Sequence, residues 1–369
     1  MIEWIWFGGC RKAMCFQKLF LIAVAVAAGL ASAASAAETN SADRAWQALT
    51  NLTLSPPPAE WTIKPPTEAD IMRFDDRRAI EAGAIADKAQ AFYTAFPKDP
   101  KTPVSRILEI QALQASVHLG ATNRVKDLIA REEMIVRDTN APADFRYQMR
   151  MDLIGREFKE KVDAGADPRA EMEKAGRTLV KEFPTGPAGY QILVDLLETV
   201  DLAKMQEIAN VITNSGGPPA VTDLGKGVLR RLALVGKPFP IEFKTIDGKQ
   251  VDRTTLSNKV VLVDFWAVWC PVCVQETPEI KKLYDRYHEH GFEVVGINFD
   301  DQTNVAQQFV KDQGLPWPQY YGGNLDNRYG HEYGISVFPQ SWLIDRKGIV
   351  QDIHGRLDRE AKIEKLMAR

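Results

Sequence analysis

Val260-Val-Leu-Val-Asp-Phe-Trp-Ala-Val-Trp-Cys-Pro-Val-Cys273 decides the fold of the C-terminal part of this chain. The apolar run, broken only by Asp264, reads as a buried strand. Pro271 suits the first turn of a helix, where its missing N–H costs nothing. The chain is therefore expected to turn from strand to helix at Cys270, with Cys273 one turn inside. Unpaired N–H groups and the helix dipole favour negative charge at such a point. They would stabilise a thiolate on Cys270, and thiol pKa values in such positions fall to about 3.5–7.5. Cys273, more enclosed, is then suited to attack a mixed disulfide formed by Cys270 and release its partner.

Other roles for the pair are weaker. A structural disulfide across so short a loop restrains the unfolded chain little. A zinc site needs two further ligands, and the five histidines (His118, His288, His290, His331, His354) form no Cys/His cluster in the sequence, although His288 and His290 share a helix end. The remaining cysteines, Cys10 and Cys15, lie in a segment with the layout of a secretory signal. Arg11, Lys12 and Lys18 precede an apolar core from Leu19 to Leu30, and Ala34-Ser35-Ala36 offers a cleavage site. That core is short for a membrane span, which needs about 20 residues. Residues 1–36 are accordingly expected to be a removed signal peptide, with an N-terminal membrane anchor as the alternative and Met14 as a second candidate start. Export to the periplasm, or otherwise outside the cytoplasm, follows, and only Cys270 and Cys273 remain in an oxidising compartment.

Residues 1–36 carry a net positive charge, so the rest of the chain is more acidic than the overall −3. That balance argues against nucleic acid as a partner. Residues 37–69 are expected to be a flexible, proline-rich segment ending in Ser55-Pro-Pro-Pro-Ala-Glu-Trp-Thr-Ile-Lys-Pro-Pro66. Residues 70–234 read as a helical domain with a weak internal echo. Ile85, Phe92 and Phe96 precede Pro97-Lys-Asp-Pro100, while Met172, Leu179 and Phe183 precede Pro184-Thr-Gly-Pro187. Ile110 and Leu113 mark the helix after the first break, Leu197 and Val200 the helix after the second. Stacked hairpins of the tetratricopeptide kind fit this pattern, and so does an irregular bundle. Gly236-Lys-Pro-Phe-Pro240 leads into the last region, 235–369. Strands are expected at 242–246, 260–265, 293–298, 340–344 and 349–352, with hairpin turns at Asp247-Gly248 and Lys347-Gly348. Helices are expected at 272–290, 303–313 and 358–368. This alternation predicts an α/β or mixed-sheet domain.

Three stretches together resemble the thioredoxin superfamily, and within it the TlpA-like and ResA-like extracytoplasmic thiol-disulfide oxidoreductases. They are Gly236-Lys-Pro-Phe-Pro-Ile-Glu-Phe-Lys-Thr-Ile-Asp-Gly-Lys249, the active-site stretch from Lys259 to Cys273, and Val337-Phe-Pro-Gln-Ser-Trp-Leu-Ile-Asp345. The resemblance covers residues 235–369 and implies a central mixed sheet. It also implies a cis bond before Pro339, with Phe338 presenting backbone groups to a bound partner, and a buried acid, Asp264, able to accept a proton from Cys273. Glu276 falls where ResA-like proteins have an active-site glutamate, and Trp269 is expected to shield the thiols. Pro278 matches a helix kink of this fold. Two departures stand out: Pro271-Val272 puts proline first, as in glutaredoxins and in strong oxidants, and no lysine in residues 292–300 can partner Asp264.

The expected activity is dithiol–disulfide exchange with protein clients, as a reductase supplied by a membrane electron donor, and no metal or organic cofactor is called for. A disulfide donor is one alternative. Another makes residues 70–234 a protein-binding module with the remainder as scaffold. A peroxidase would need Thr or Ser at position 267, which is Ala.

Overall fold

A computed structural model describes residues 41–245, 248–324 and 327–368. The expected signal segment 1–36 lies outside the described residues, as does Asp247 of the first expected turn. Among the described residues no helix is long and apolar enough to cross a membrane. The chain packs as two units, Met1–Lys159 and Glu160–Arg369.

Within the expected flexible segment 37–69, the described residues from 41 onward are instead packed. Helix α1, Ser41–Thr50, buries Ala42, Trp46 and Leu49, which fall on one stripe of a helix. Trp46 packs 5.2 Å from Phe92. Beyond it, the Ser55 backbone N–H donates to Glu81 at 2.7 Å and Trp61 meets Phe74 edge-on at 5.0 Å. The prolines conceal this order because they silence the helical period without preventing anchoring. Helices α2 (Glu68–Ala95) and α3 (Thr102–His118) form the first hairpin, followed by α4 (Val125–Arg137) and α5 (Ala143–Asp163).

The second unit opens with another hairpin, α6 (Pro168–Glu182) and α7 (Pro187–Leu197). The sequence echo has a backbone counterpart. Phe96 ends α2 at φ −127°, ψ 61°, and Phe183 ends α6 at φ −135°, ψ 72°. Small residues close both hairpins. Ser105 Oγ donates to the Ala89 carbonyl at 2.7 Å in the first. In the second, a Cβ on Gly189 would lie 2.9 Å from the Val180 nitrogen. Val200, expected in the second helix, falls beyond its end. Helices α8 (Leu202–Asn214) and α9 (Pro219–Leu232) complete the helical part. The first strand begins at Glu242, past the expected boundary at 234/235, and the packing units divide at 159/160.

Strands β1 (Glu242–Lys244) and β2 (Gln250–Asp252) pair antiparallel. The main sheet contains β3 (Val260–Trp266), β4 (Phe292–Asn298), β5 (Gln319–Tyr321), β6 (Gln340–Ile344) and β7 (Val350–Asp352) in the order β5-β4-β3-β6-β7. β3 runs parallel to β4 and antiparallel to β6, so the sheet is mixed as expected. Gly348, at φ +75°, makes the turn from β6 to β7. The remaining helices are α10 (Pro271–Tyr287), α11 (Thr303–Asp312), α12 (Arg328–Tyr333) and α13 (Arg359–Met367). β2, β5 and α12 were not expected, being too short to show a period.

The pleat sorts the site. Val260, Leu262 and Leu343 share one core with Ile280 and Leu283 of α10 and Ile363 and Leu366 of α13. On the opposite face Phe265 lies 4.7 Å from Trp342, which also meets Phe239 and Tyr333 at 5.5 Å each. Asp264 and Ser341 continue the first face by the two-residue period of a strand, and they are register partners.

Candidate active site

Cys270 is the N-cap of α10, and its Sγ accepts a hydrogen bond from the Cys273 backbone N–H at 3.2 Å. The two cysteines form a disulfide with Cα atoms 5.3 Å apart. Both are buried, at 6% and 4% exposure, while Pro271 and Val272 between them are exposed. Asp300, which sequence reading missed, holds the turn by accepting the Val268 N–H with both carboxylate oxygens at 2.9 and 3.1 Å. Its charge is in turn tied to Asn298 Nδ2 at 2.6 Å.

The Phe338–Pro339 bond is cis. Phe338 packs 4.7 Å from Phe299 and 5.4 Å edge-on to Trp269. Trp269 is half exposed, with its indole nitrogen donating to the Phe299 carbonyl at 3.4 Å. Trp269, Val272 and Phe338 thus place apolar surface at the rim of the disulfide. Trp269 sits there as much a surface residue as a shield.

Beneath α10 lies a charge cluster the sequence only half disclosed. Asp264 is 8% exposed and accepts from Ser341 Oγ at 3.4 Å. Burial pushes its carboxyl up to about 7; Arg359 works against that shift and Glu276 adds to it. Glu276, one turn after Cys273, accepts from Arg359 Nη2 at 2.7 Å and from Arg356 Nε at 3.1 Å. Burial disfavours its charge, yet the hydrogen bonds and charges of the two arginines outweigh that and hold it below the usual glutamate range. Arg359 Nη2 also reaches Ser341 Oγ at 3.5 Å. The cation missing from residues 292–300 is therefore supplied from α13. One signal could have found it, since Arg359 opens a helix, where the dipole disfavours a positive charge. The cluster holds a buried carboxyl raised to about 7 on the sheet face that α10 covers. Such an acid can exchange a proton at neutral pH. No group of three or more metal-ligating side chains occurs among the described residues.

This fold and site define a thioredoxin-type thiol–disulfide exchange domain. The family model Redoxin matches residues 234–366. Thiol-disulfide oxidoreductase ResA of Bacillus thuringiensis subsp. konkukian is 32% identical over 130 residues, covering 34% of this chain and 73% of the relative. Thiol:disulfide interchange protein DsbE of Vibrio cholerae is 32% identical over 126 residues, covering 33% of this chain and 65% of that protein. A solved thioredoxin domain of a thiol-disulfide oxidoreductase from Bacteroides vulgatus matches at 27% identity with a TM-score of 0.33, covering 36% of this chain and 97% of that one. The chain belongs to the thioredoxin superfamily as a ResA-like protein, and it is a thioredoxin-like oxidoreductase.

Proposed function

We propose that this protein works outside the cytoplasm as a reductase of protein disulfides. Cys270 is the nucleophile, Cys273 the resolving thiol, and electrons come from a membrane partner. In the reduced enzyme the Cys270 thiolate attacks a client disulfide. A bond forms between Cys270 Sγ and one client sulfur, and the other client sulfur leaves and takes a proton. Cys273 then gives its proton to the Asp264 carboxylate and attacks Cys270 Sγ. The enzyme disulfide closes and the client departs as a dithiol, two electrons richer. The observation that carries this reading is the Cys270–Cys273 disulfide at the N-terminus of α10, with Asp264 buried on the sheet face that α10 covers.

Phe338 and the cis Pro339 are read as the backbone that meets the client, with Trp269 and Val272 as an apolar rim. The helices of residues 70–234 are read as helping to select that client. The signal-like segment 1–36 supports export, and outside the cytoplasm no glutathione pool keeps a dithiol reduced, which is why a membrane electron supply is required. The proline-first dipeptide and the helix N-terminus both favour the thiolate, so disulfide donation is the rival direction.

The test is the reduction potential of the Cys270–Cys273 pair, equilibrated against a thiol–disulfide buffer. A value near about −270 mV supports the reductase. A value near about −120 mV makes the protein a disulfide donor and reverses the proposed direction.

A further inference from the structure

A second buried arginine lies on the sheet face opposite the charge cluster, and none of the exchange chemistry above uses it. Arg231, on α9, has no exposed surface. Its Nη1 donates to Gln340 Oε1 at 2.5 Å and its Nη2 to Glu198 Oε1 at 2.7 Å. Gln340 Nε2 donates in turn to the same Glu198 oxygen and to the Val337 carbonyl, both at 3.1 Å. A closed triangle thus joins α9, the end of α7 and the start of β6. Its outgoing bond reaches the residue just before Phe338.

Helix α9 also grips the chain ahead of that point. Arg230 donates to the carbonyls of Glu332 at 2.7 Å and His331 at 3.2 Å. A Cβ on Gly227 would fall 2.4 Å from the Gly334 nitrogen, so only glycine allows this approach. The segment carrying the cis bond is therefore held by one helix on both sides, at 331–334 and at 340. Replacing a buried ion pair with apolar side chains is often neutral for stability, so stability gives little reason for Arg231 to be charged. With both terminal nitrogens of Arg231 bonded, the polar triangle supplies a single fixed geometry instead.

We propose that Arg231 is a positioning residue: through Glu198 and Gln340, helix α9 sets the backbone of residues 337–339 against which a client disulfide docks. Residues 187–232 then belong to the client-positioning body of the oxidoreductase. The proposal rests on Phe338 being the residue that meets the client, and the test separates the two ideas.

Gln340→Met is the first variant, because it cuts the loop side of the triangle and leaves the Arg231–Glu198 pair intact within the helices. In the full chain, KM for reduced-enzyme turnover of insulin disulfides should rise about tenfold with little change in kcat, since a misplaced docking edge weakens productive binding. Turnover of dithionitrobenzoate, which needs no docking edge, and the Cys270–Cys273 potential should both hold within about twofold. Arg231→Met should give the same split from the helical side, and Arg231→Lys, which keeps the charge but loses the planar fork, should recover part of it. An unchanged insulin KM in Gln340→Met overturns the proposal. So does an equal loss on both substrates with a lowered Tm, which marks a purely structural role. Phe338→Pro, which removes a backbone N–H from the docking edge, is the control. If it leaves insulin KM unchanged, the docking reading itself fails; if it raises KM while Gln340→Met does not, only the positioning role falls.

Discussion

Gln340 and Ser341 are neighbours in the chain, but the pleat of β6 sends them to opposite faces of the sheet, where each meets a buried arginine. On the α10 side, Arg359 faces Ser341, binds Glu276 and bears on Asp264. On the other side, Arg231 binds Gln340 and Glu198. The two guanidinium groups are buried alike and differ in what surrounds them. Around Arg359 sit two carboxyls, one held charged and the other raised to about 7, so the arginine tunes where a proton resides. Around Arg231 the partners are an amide, a carboxylate and the Met205 thioether, so the arginine fixes a shape. Burial multiplies the effect of a charge in both places, and the partners decide whether the result is chemistry or geometry.

The largest expected effect tests the α10 face at its sulfur. Cys273→Ser should cut turnover of a protein disulfide by about a thousandfold or more, because the mixed disulfide on Cys270 can no longer resolve. Non-reducing electrophoresis should then show the client bonded to Cys270. Rapid release of client from this variant would remove Cys273 from the resolving role.

Asp264→Asn should come next, and in the oxidised protein its effect can be read without interference from the thiols. An acid whose native pKa is raised to about 7 holds its proton in the folded state where the unfolded chain has lost it. Wild-type stability should therefore fall as pH rises from the unfolded aspartate range to about 7, then level off. The asparagine variant lacks that fall. Relative to wild type it should gain up to about 4 kcal/mol at pH 8 and nothing at low pH. Denaturant unfolding at several pH values checks this, and parallel profiles for the two proteins would refute the raised carboxyl.

Glu276→Gln is the finest probe of the contrast between the arginines. Removing its charge takes away a repulsion and frees Arg359, so Asp264 should ionise more readily. The pH at which wild-type stability levels off should move lower, while insulin KM changes less than in Gln340→Met. An unmoved pH profile would mean that Glu276 does not act on Asp264.

The cis bond at Pro339 was implied only by the family resemblance, whereas the strand before Cys270, the helix start at Pro271 and the mixed order of the last region were legible locally. Each follows from neighbours within about one turn or one strand. α1 was hidden by the prolines that follow it, although Ala42, Trp46 and Leu49 already carry a helical spacing. The cluster around Asp264 was half legible: Asp264 and Glu276 stand in recognisable stretches, whereas Arg356 and Arg359 look like ordinary surface charges ahead of a terminal helix. Arg231 gave no signal at all, since it lies 109 residues from the glutamine it binds.

What the sequence by itself determined is therefore the reactive pair and its frame: two thiols, a strand to hold them and a helix whose first turn favours a thiolate. Those depend on short-range backbone geometry and on the period of apolar residues. Tertiary structure alone decided which buried charges face which acids, and that α9 grips both flanks of the cis-proline segment. A buried charge is stable only where distant parts of the chain bring it a partner, and one sequence does not disclose those meetings in advance.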